Sequence, residues 1–484
     1  MRDVDRRGII CCLATFAVAI FVLATAIGAL TATSVTAEHS PPQRVLCALF
    51  SLRYEAPYLL PWLAYHRLLG FDRIILYHDD TSGMFDASLL ESHSTLLQVL
   101  QRKASQPDSW LIMKSMAALG IKKQREQVRD CNKMAIALGA AWATNFDIDE
   151  ALAVGPIHAT SGRIEFNLGG TPSPLPLSAI PNFTANVLHG LGNDAIALAI
   201  PRSEYMLTYA HNGSELPPHE LELEFERYTA RLRGLQPSVP LHFAVGNKAS
   251  FGDMAPKLMW RPSSSIQHKG EANHELHGVP KLYFQGTEQR WYTSSEIGIR
   301  EYHPARPEKH IEDCCRVQMN QMMTRFFQRA SKPREPRYFT QPILRLYHYH
   351  HRSYGECMRK AALTKYRIGA NGYFKDFMAD GGPKFLAGNL SKRYEQGHCG
   401  QARYAVDSAA FQRDNSKNSS YVAGWPLARA DFVRDETIAV HAPSIRNAIT
   451  SEFGPSALQV LRESQAWFRE QTRRFLEEGG DPAF

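Results

Sequence analysis

From Val45 to Glu150 the sequence alternates apolar runs that end in polar or acidic residues with stretches whose apolar residues recur at helical spacing. No other feature constrains the fold as strongly. The run Val45 to Leu52 predicts a strand. In the following stretch, Arg53 to Gly70, Leu59, Trp62, Leu63 and Leu69 fall near helical spacing, Pro57 or Pro61 suits a first turn, and Gly70 supplies a stop. Arg73 to Tyr77 predicts a second strand, which runs into Asp79 and Asp80. Gln124 to Leu138 predicts a helix with Val128, Cys131, Ala135 and Leu138 on one stripe and Gly139 at its end. It feeds directly into a strand from Trp142 that closes on Asp147-Ile-Asp149-Glu150. Strand, helix and strand in this order form right-handed parallel units whose ligands collect at the carboxyl ends of the strands. The expected fold class is α/β: a Rossmann-like, mostly parallel sheet flanked by helices.

Three of these strands deliver polar residues to one edge: Arg53 and Glu55, then Asp79 and Asp80, then Asp147 and Asp149. The third strand is expected to run on through Glu150, so Asp147 and Asp149 share one face, while Ile148 and Glu150 take the other. Two carboxylates aimed at one spot suit a hard divalent cation that shares its remaining sites with water and phosphate. The acidic stretch is therefore expected to grip a metal ion and the diphosphate of a nucleotide sugar. Asp79 or Asp80 is placed to hydrogen-bond the nucleotide's base or ribose, and Asp130 to reach the same pocket from its helix.

The 484 residues are 44% hydrophobic and 21% charged, ordinary for a folded chain and too apolar for wholesale disorder. A net charge of +7 is too diffuse to imply nucleic acid. The charge is concentrated between Arg325 and Arg367, where eleven Lys and Arg stand against Glu335 and Glu356. An anionic ligand or a membrane surface near that region fits, as does a solvated basic face. At the N-terminus, Arg2, Arg6 and Arg7 precede an uncharged run, Gly8 to Ala37, whose apolar core Ile9 to Leu30 is long enough to span a bilayer. A signal anchor is expected over residues 8–32, with 1–7 cytosolic and 33–44 a short stem; cleavage near Ala37 is the competing reading. The bulk of the chain is then lumenal. Six cysteines beyond the anchor permit disulfides, and the absence of any CxxC pair disfavours structural zinc. Asn182, Asn212, Asn389 and Asn418 lie in N-glycan acceptor triplets.

Several separated blocks carry a resemblance. Arg53-Tyr-Glu55-Ala-Pro-Tyr-Leu-Leu-Pro-Trp-Leu-Ala-Tyr-His66-Arg-Leu-Leu-Gly70, Phe146-Asp-Ile-Asp-Glu150, and Leu346-Tyr-His348-Tyr349-His350-His-Arg-Ser353 with Lys360 resemble successive blocks of glycosyltransferase family 92. Leu221 to Tyr228, and Lys257-Leu-Met-Trp-Arg261-Pro262 with His268, are similar to two weaker blocks. The resemblance spans Val45 to Arg367, in order. It departs at Tyr54, where the family tends to have Asn before the glutamate.

The resemblance implies a GT-A fold, a catalytic domain over residues 45–367, and inverting transfer of a hexose, expected to be galactose, from a UDP-sugar to a glycan hydroxyl with a Mn2+-type ion. By that resemblance His348 completes the metal shell of Asp147 and Asp149, with His268 in reserve, and Arg352 and Lys360 neutralise the leaving phosphates. Asp253, Glu271, Glu275 and Asp313 are unranked candidates for the base that takes the acceptor proton. Localisation follows as a single-pass type II Golgi membrane protein. Residues 368–484 form a mainly helical extension, with Ser456 to Leu476 an amphipathic helix, which either covers the catalytic domain or stands apart. A lumenal glycan-binding protein with the same fold and no turnover is the alternative. A zinc hydrolase using His348, His350 and His351 lacks the usual ligand spacing.

Overall fold

A computed structural model of the chain describes residues 44–79, 93–121, 124–154, 177–179, 181, 188, 191, 195–200, 202–206, 221, 223–227, 230–232, 257–266, 282–285, 291–293, 344–349, 356, 432–434 and 437–477. All fall in the second of two units into which the chain divides, Gln43–Phe484. The expected cytosolic segment and anchor, the stem up to residue 43 and the four glycan acceptor asparagines lie outside the described residues. Among the described residues no helix is long and apolar enough to cross a membrane.

The central strand is β1 (Arg44–Phe50), buried on both faces. Val45 and Cys47 belong to one apolar cluster, and Leu46, Ala48 and Phe50 to another on the opposite side. Burial on both faces is why this strand reads as a continuous apolar run, as strands of parallel sheets do. After α1 (Leu52–Leu68), β2 (Arg73–His78) lies parallel to β1, with Val45 opposite Arg73 and Phe50 opposite His78. After α2 (Ser94–Ala104), β3 (Leu111–Ser115) adds parallel to β2. After α3 (Gln124–Ala137), β4 (Trp142–Asn145) adds parallel to the other side of β1.

Downstream come β5 (Glu150–Val154), β6 (Ala197–Ile200), β7 (Arg202–Met206), α4 (Glu224–Arg227), β8 (Ala230–Leu232), β9 (Lys257–Trp260), β10 (Leu282–Gln285), β11 (Trp291–Thr293), β12 (Leu344–His348), β13 (Phe432–Arg434), α5 (Ala442–Phe453) and α6 (Ala457–Glu477). The large sheet has the order β11-β10-β6-β9-β4-β1-β2-β3 and is mostly parallel. β9 and β11 run antiparallel to their neighbours. A second sheet has the order β13-β8-β7-β12-β5. The chain is thus a mixed α/β protein with a mostly parallel principal sheet.

The first helix starts earlier than its periodicity predicts. Ser51, extended at φ −124°, precedes it, and the Glu55 carboxylate accepts the Ser51 N–H at 2.5 Å. Pro57 and Pro61 therefore lie inside α1, not in its first turn. Pro61 has no N–H to give the carbonyl four residues back, and Gln465 Nε2 of α6 donates to that Pro57 carbonyl at 3.4 Å. Gly70 ends the segment at φ +88°, a left-handed conformation suited to glycine.

The described helices of the C-terminal extension share the core of α1. Ile445, Ile449, Phe453 and Leu461 belong to the same buried cluster as Leu59, Trp62 and Leu63. Glu452 of α5 accepts from Lys103 at 2.8 Å and from Trp110 Nε1 at 2.7 Å, and Arg446 pairs with Glu226. Residues of α5 and α6 thus cover the sheet's helical layer instead of standing apart. The sequence left cysteine pairing open; Cys47 of β1 and Cys131 of α3 form a disulfide.

Candidate functional site

The acidic stretch is a turn, not the end of one long strand. β4 stops at Asn145, and β5 starts at Glu150 in the other sheet. Between them the Glu150 N–H donates to the Asp147 carbonyl at 3.0 Å, and the Asp147 N–H donates to the Glu150 carboxylate at 2.9 Å. This doubly closed turn overrides the two-residue alternation that was to put Glu150 on the face opposite Asp147. Instead both carboxylates reach one ammonium: Lys257 Nζ lies 2.7 Å from Asp147 Oδ2 and 3.0 Å from Glu150 Oε2. The lysine and Glu150 side chains are 1% and 0% exposed, so each charge is stabilised only by partners brought to it.

Asp147 Oδ1 accepts from Gln124 Nε2 at 3.1 Å, so α3 holds the turn from the other side. Asp149 faces elsewhere. Its Oδ1 lies 3.7 Å from His348 Nε2, both side chains being 7% exposed, and its carbonyl accepts the Tyr349 N–H at 2.7 Å. His348 reaches this place because β12 runs antiparallel to β5, with His348 opposite Glu150 and Leu346 opposite Leu152. Two sequence blocks far apart in the chain are thereby neighbouring strands.

β5 ends its sheet, and its outer edge is satisfied by side chains of α1. Trp62 Nε1 donates to the Glu150 carbonyl at 2.7 Å, and Tyr65 Oη donates to the Leu152 carbonyl at 2.7 Å. His66 Nδ1 lies 2.9 Å from the Trp62 carbonyl, and the Leu152 N–H approaches His66 Nε2 at 3.4 Å. The contacts require the neutral ring with its proton on Nδ1. Complete burial pushes the His66 pKa down to about 3, the bond to the Trp62 carbonyl opposing. The aromatic part of the first block therefore fixes the strand on which the acidic turn rests.

Asp130 of α3 accepts from Tyr77 Oη at 2.7 Å and from Lys114 Nζ at 2.6 Å, above the ends of β2 and β3. Burial, followed by the Asp130 carboxylate, raises the Tyr77 pKa and keeps the phenol protonated. Asp79 is buried, its N–H donating to the Phe50 carbonyl at 2.9 Å. Glu55 caps α1 as described. Arg53 lies in the first turn of α1. Asp80, Arg352 and Lys360 lie outside the described residues, as do His268, His350, His351 and the base candidates Asp253, Glu271, Glu275 and Asp313.

Of the three expected metal ligands, Asp149 and His348 are brought face to face. Asp147, two positions before Asp149, has both oxygens engaged by Lys257 and Gln124. Among the described residues no group of three or more His, Cys, Asp and Glu is assembled around one point. A carboxylate and an imidazole 3.7 Å apart nonetheless match two ligands on one small ion, since ligand atoms about 2.1 Å from it lie roughly 3 to 4 Å from each other. Ions of this class are commonly held by one or two protein carboxylates, with phosphate and water completing the shell. The pair fits such an ion as a partial shell.

The sequence pattern does not mark Lys257, Gln124 or the edge-capping role of Trp62, Tyr65 and His66 as site features. The one visible signal was a lysine opening an otherwise apolar strand that is buried throughout. No family model matches the chain, and no curated protein matches it. The chain is similar to the crystal structure of S. aureus TarS 1-349, at 9% identity and a TM-score of 0.23, over 90% of this chain and 92% of that one. Chains that superpose at that level need not share a fold, so the likeness is no ground for assigning an activity.

Proposed function

We propose that the protein is a metal-dependent inverting glycosyltransferase that moves a hexose, galactose first among candidates, from a UDP-sugar to a glycan hydroxyl. The observation that carries this reading is Asp149 facing His348 across 3.7 Å beside the parallel strands, at a turn whose other two acidic groups, Asp147 and Glu150, are both paired with Lys257. Asp149 and His348 would hold a Mn2+-like ion, with Asp147 next to them. A bound ion of this kind supplies positive charge against the negative charge that develops on the departing diphosphate. The chain's own part is to orient the donor and to take the acceptor proton. The acceptor oxygen bonds to the anomeric carbon as that carbon's bond to the diphosphate oxygen breaks. The acceptor's proton passes to a carboxylate, for which the candidates remain Asp253, Glu271, Glu275 and Asp313.

Asp79, Asp80, Asp130, Arg53 and Glu55 would line the nucleotide side, with Arg352 and Lys360 on the phosphates. Of these, Asp130 accepts from Tyr77 and Lys114, and Glu55 accepts from the Ser51 N–H. A Golgi location behind an N-terminal anchor is supported by the apolar run Ile9 to Leu30 and by the buried Cys47–Cys131 disulfide, which persists in an oxidising compartment. Incubation of the purified full chain with Mn2+, a panel of UDP-sugars and glycan acceptors tests the reading. UDP release that needs both the ion and an acceptor supports it. Glycan binding with no UDP release from any donor would move the protein to the non-catalytic alternative.

A further inference from the structure

The first aspartate of the acidic turn is occupied from both ends. Lys257 Nζ takes Asp147 Oδ2 at 2.7 Å, Gln124 Nε2 takes Oδ1 at 3.1 Å, and the Asp147 N–H is bound to Glu150. Lys257 opens β9 of the large sheet, and Glu150 opens β5 of the second sheet, so the ammonium joins the two sheets at the turn. Asp147, Asp149 and Glu150 are carboxylates within four consecutive residues and repel one another. A buried ammonium offsets that repulsion, and its burial is tolerable only because both carboxylates stay close.

We propose that Lys257 is a positioning residue that clamps Asp147 and Glu150 and so divides the labour of the two aspartates. Asp147 belongs to the clamp, and Asp149 with His348 faces the ion. This division rests on the reading of the turn as an ion and diphosphate site; the clamp itself does not. Lys257 fixes the turn's backbone, which sets where the Asp149 carboxylate stands against His348. Arginine at this place keeps the charge and the reach to both acids, whereas methionine keeps only the length.

The test uses the full chain carrying Lys257→Met, Lys257→Arg, Asp147→Asn, Asp149→Asn, or Lys257→Met with Asp147→Asn. Mn2+ binding in the presence of UDP is followed by electron paramagnetic resonance, and thermal unfolding is followed without ligand. Asp147→Asn, which acts on the ion only through the turn, is expected to weaken Mn2+ binding by about tenfold, and Asp149→Asn by clearly more, about a hundredfold. In unfolding, Lys257→Met and Asp147→Asn should be strongly non-additive, and Lys257→Arg should recover most of the midpoint lost in Lys257→Met. Equal loss of Mn2+ affinity in the two aspartate variants overturns the division of labour. Additive unfolding effects overturn the clamp. Both aspartate variants retain the lysine, so they decide the first point even where Lys257→Met does not fold. A wild-type chain that binds neither Mn2+ nor UDP sinks the ion and diphosphate reading, and the division with it, while the unfolding cycle still decides whether the clamp exists.

Discussion

His348 Nε2 stands 3.7 Å from Asp149 Oδ1 because β12 and β5 are antiparallel neighbours, so one backbone register sets the distance between two groups nearly two hundred positions apart in the chain. The spacing is too long for a hydrogen bond and short enough for a shared ion. Asp149→Ala and His348→Ala should therefore each cut ion-dependent UDP release, the aspartate variant by roughly a hundredfold or more and the histidine variant by less, since the carboxylate carries the charge. Kinetics at saturating and limiting Mn2+ check this. A His348→Ala enzyme with an unchanged Mn2+ requirement would remove the imidazole from the ion's shell.

The edge of β5 gives a stability prediction independent of activity. Tyr65→Phe deletes the hydroxyl that donates to the Leu152 carbonyl and leaves that buried acceptor without its partner. A loss of about 1 to 3 kcal/mol in unfolding free energy is expected, with little change in the shape of the core. Urea unfolding at constant m-value measures it. A change of a few tenths would mean that the phenol does not hold the strand.

Much of the first half of the fold was legible. The order β1, α1, β2, α3, β4 follows from apolar runs and helical stripes, because buried parallel strands advertise themselves on both faces. Asp147 and Asp149 were found as an acidic pair, but their geometry was not. Alternation holds only while the strand continues, and hydrogen bonds between Asp147 and Glu150 end it there. Lys257 is inconspicuous in the sequence, since what makes it matter is β9 lying beside β4, a pairing no local pattern encodes. The prolines of α1 misplaced its start, because the group that compensates for Pro61 is Gln465, at the far end of the chain.

Acid should loosen the protein through His66. Its folded pKa, about 3, lies well below the ordinary value of 6.5, so the unfolded chain binds the extra proton first. The contribution is fully present above pH 6.5 and is lost progressively as pH falls from there toward 3, at up to about 1.4 kcal/mol per pH unit. Thermal unfolding between pH 7 and pH 4 should show this slope. A His66→Asn variant, less stable at pH 7, should show a slope smaller by close to one proton. Equal slopes in the two proteins would place the acid sensitivity elsewhere.

Cys47 and Cys131 join the central strand to α3, the helix that also presents Gln124 to Asp147 and Asp130 to Tyr77. The bond closes a loop with a sequence separation of 84, for which chain entropy gives about 4.5 kcal/mol. Both sulfurs are buried, so a reductant acts after local opening and the loss should be slow under native conditions. Cys47→Ala with Cys131→Ala is expected to lower the thermal midpoint by several degrees or more. It should also weaken ligand binding at the acidic turn by more than the stability loss accounts for, because α3 then keeps its place by the apolar packing of Val128 and Ala135 and by side-chain contacts such as Gln127 to Asn145 and Lys114 to Asp130, with no covalent tie to β1. Unfolding scans together with Mn2+ titration of the double variant separate the two effects. A lowered midpoint with unchanged ion affinity would make the disulfide a staple of the fold alone, and would mean that the grip of Gln124 on the turn survives without it.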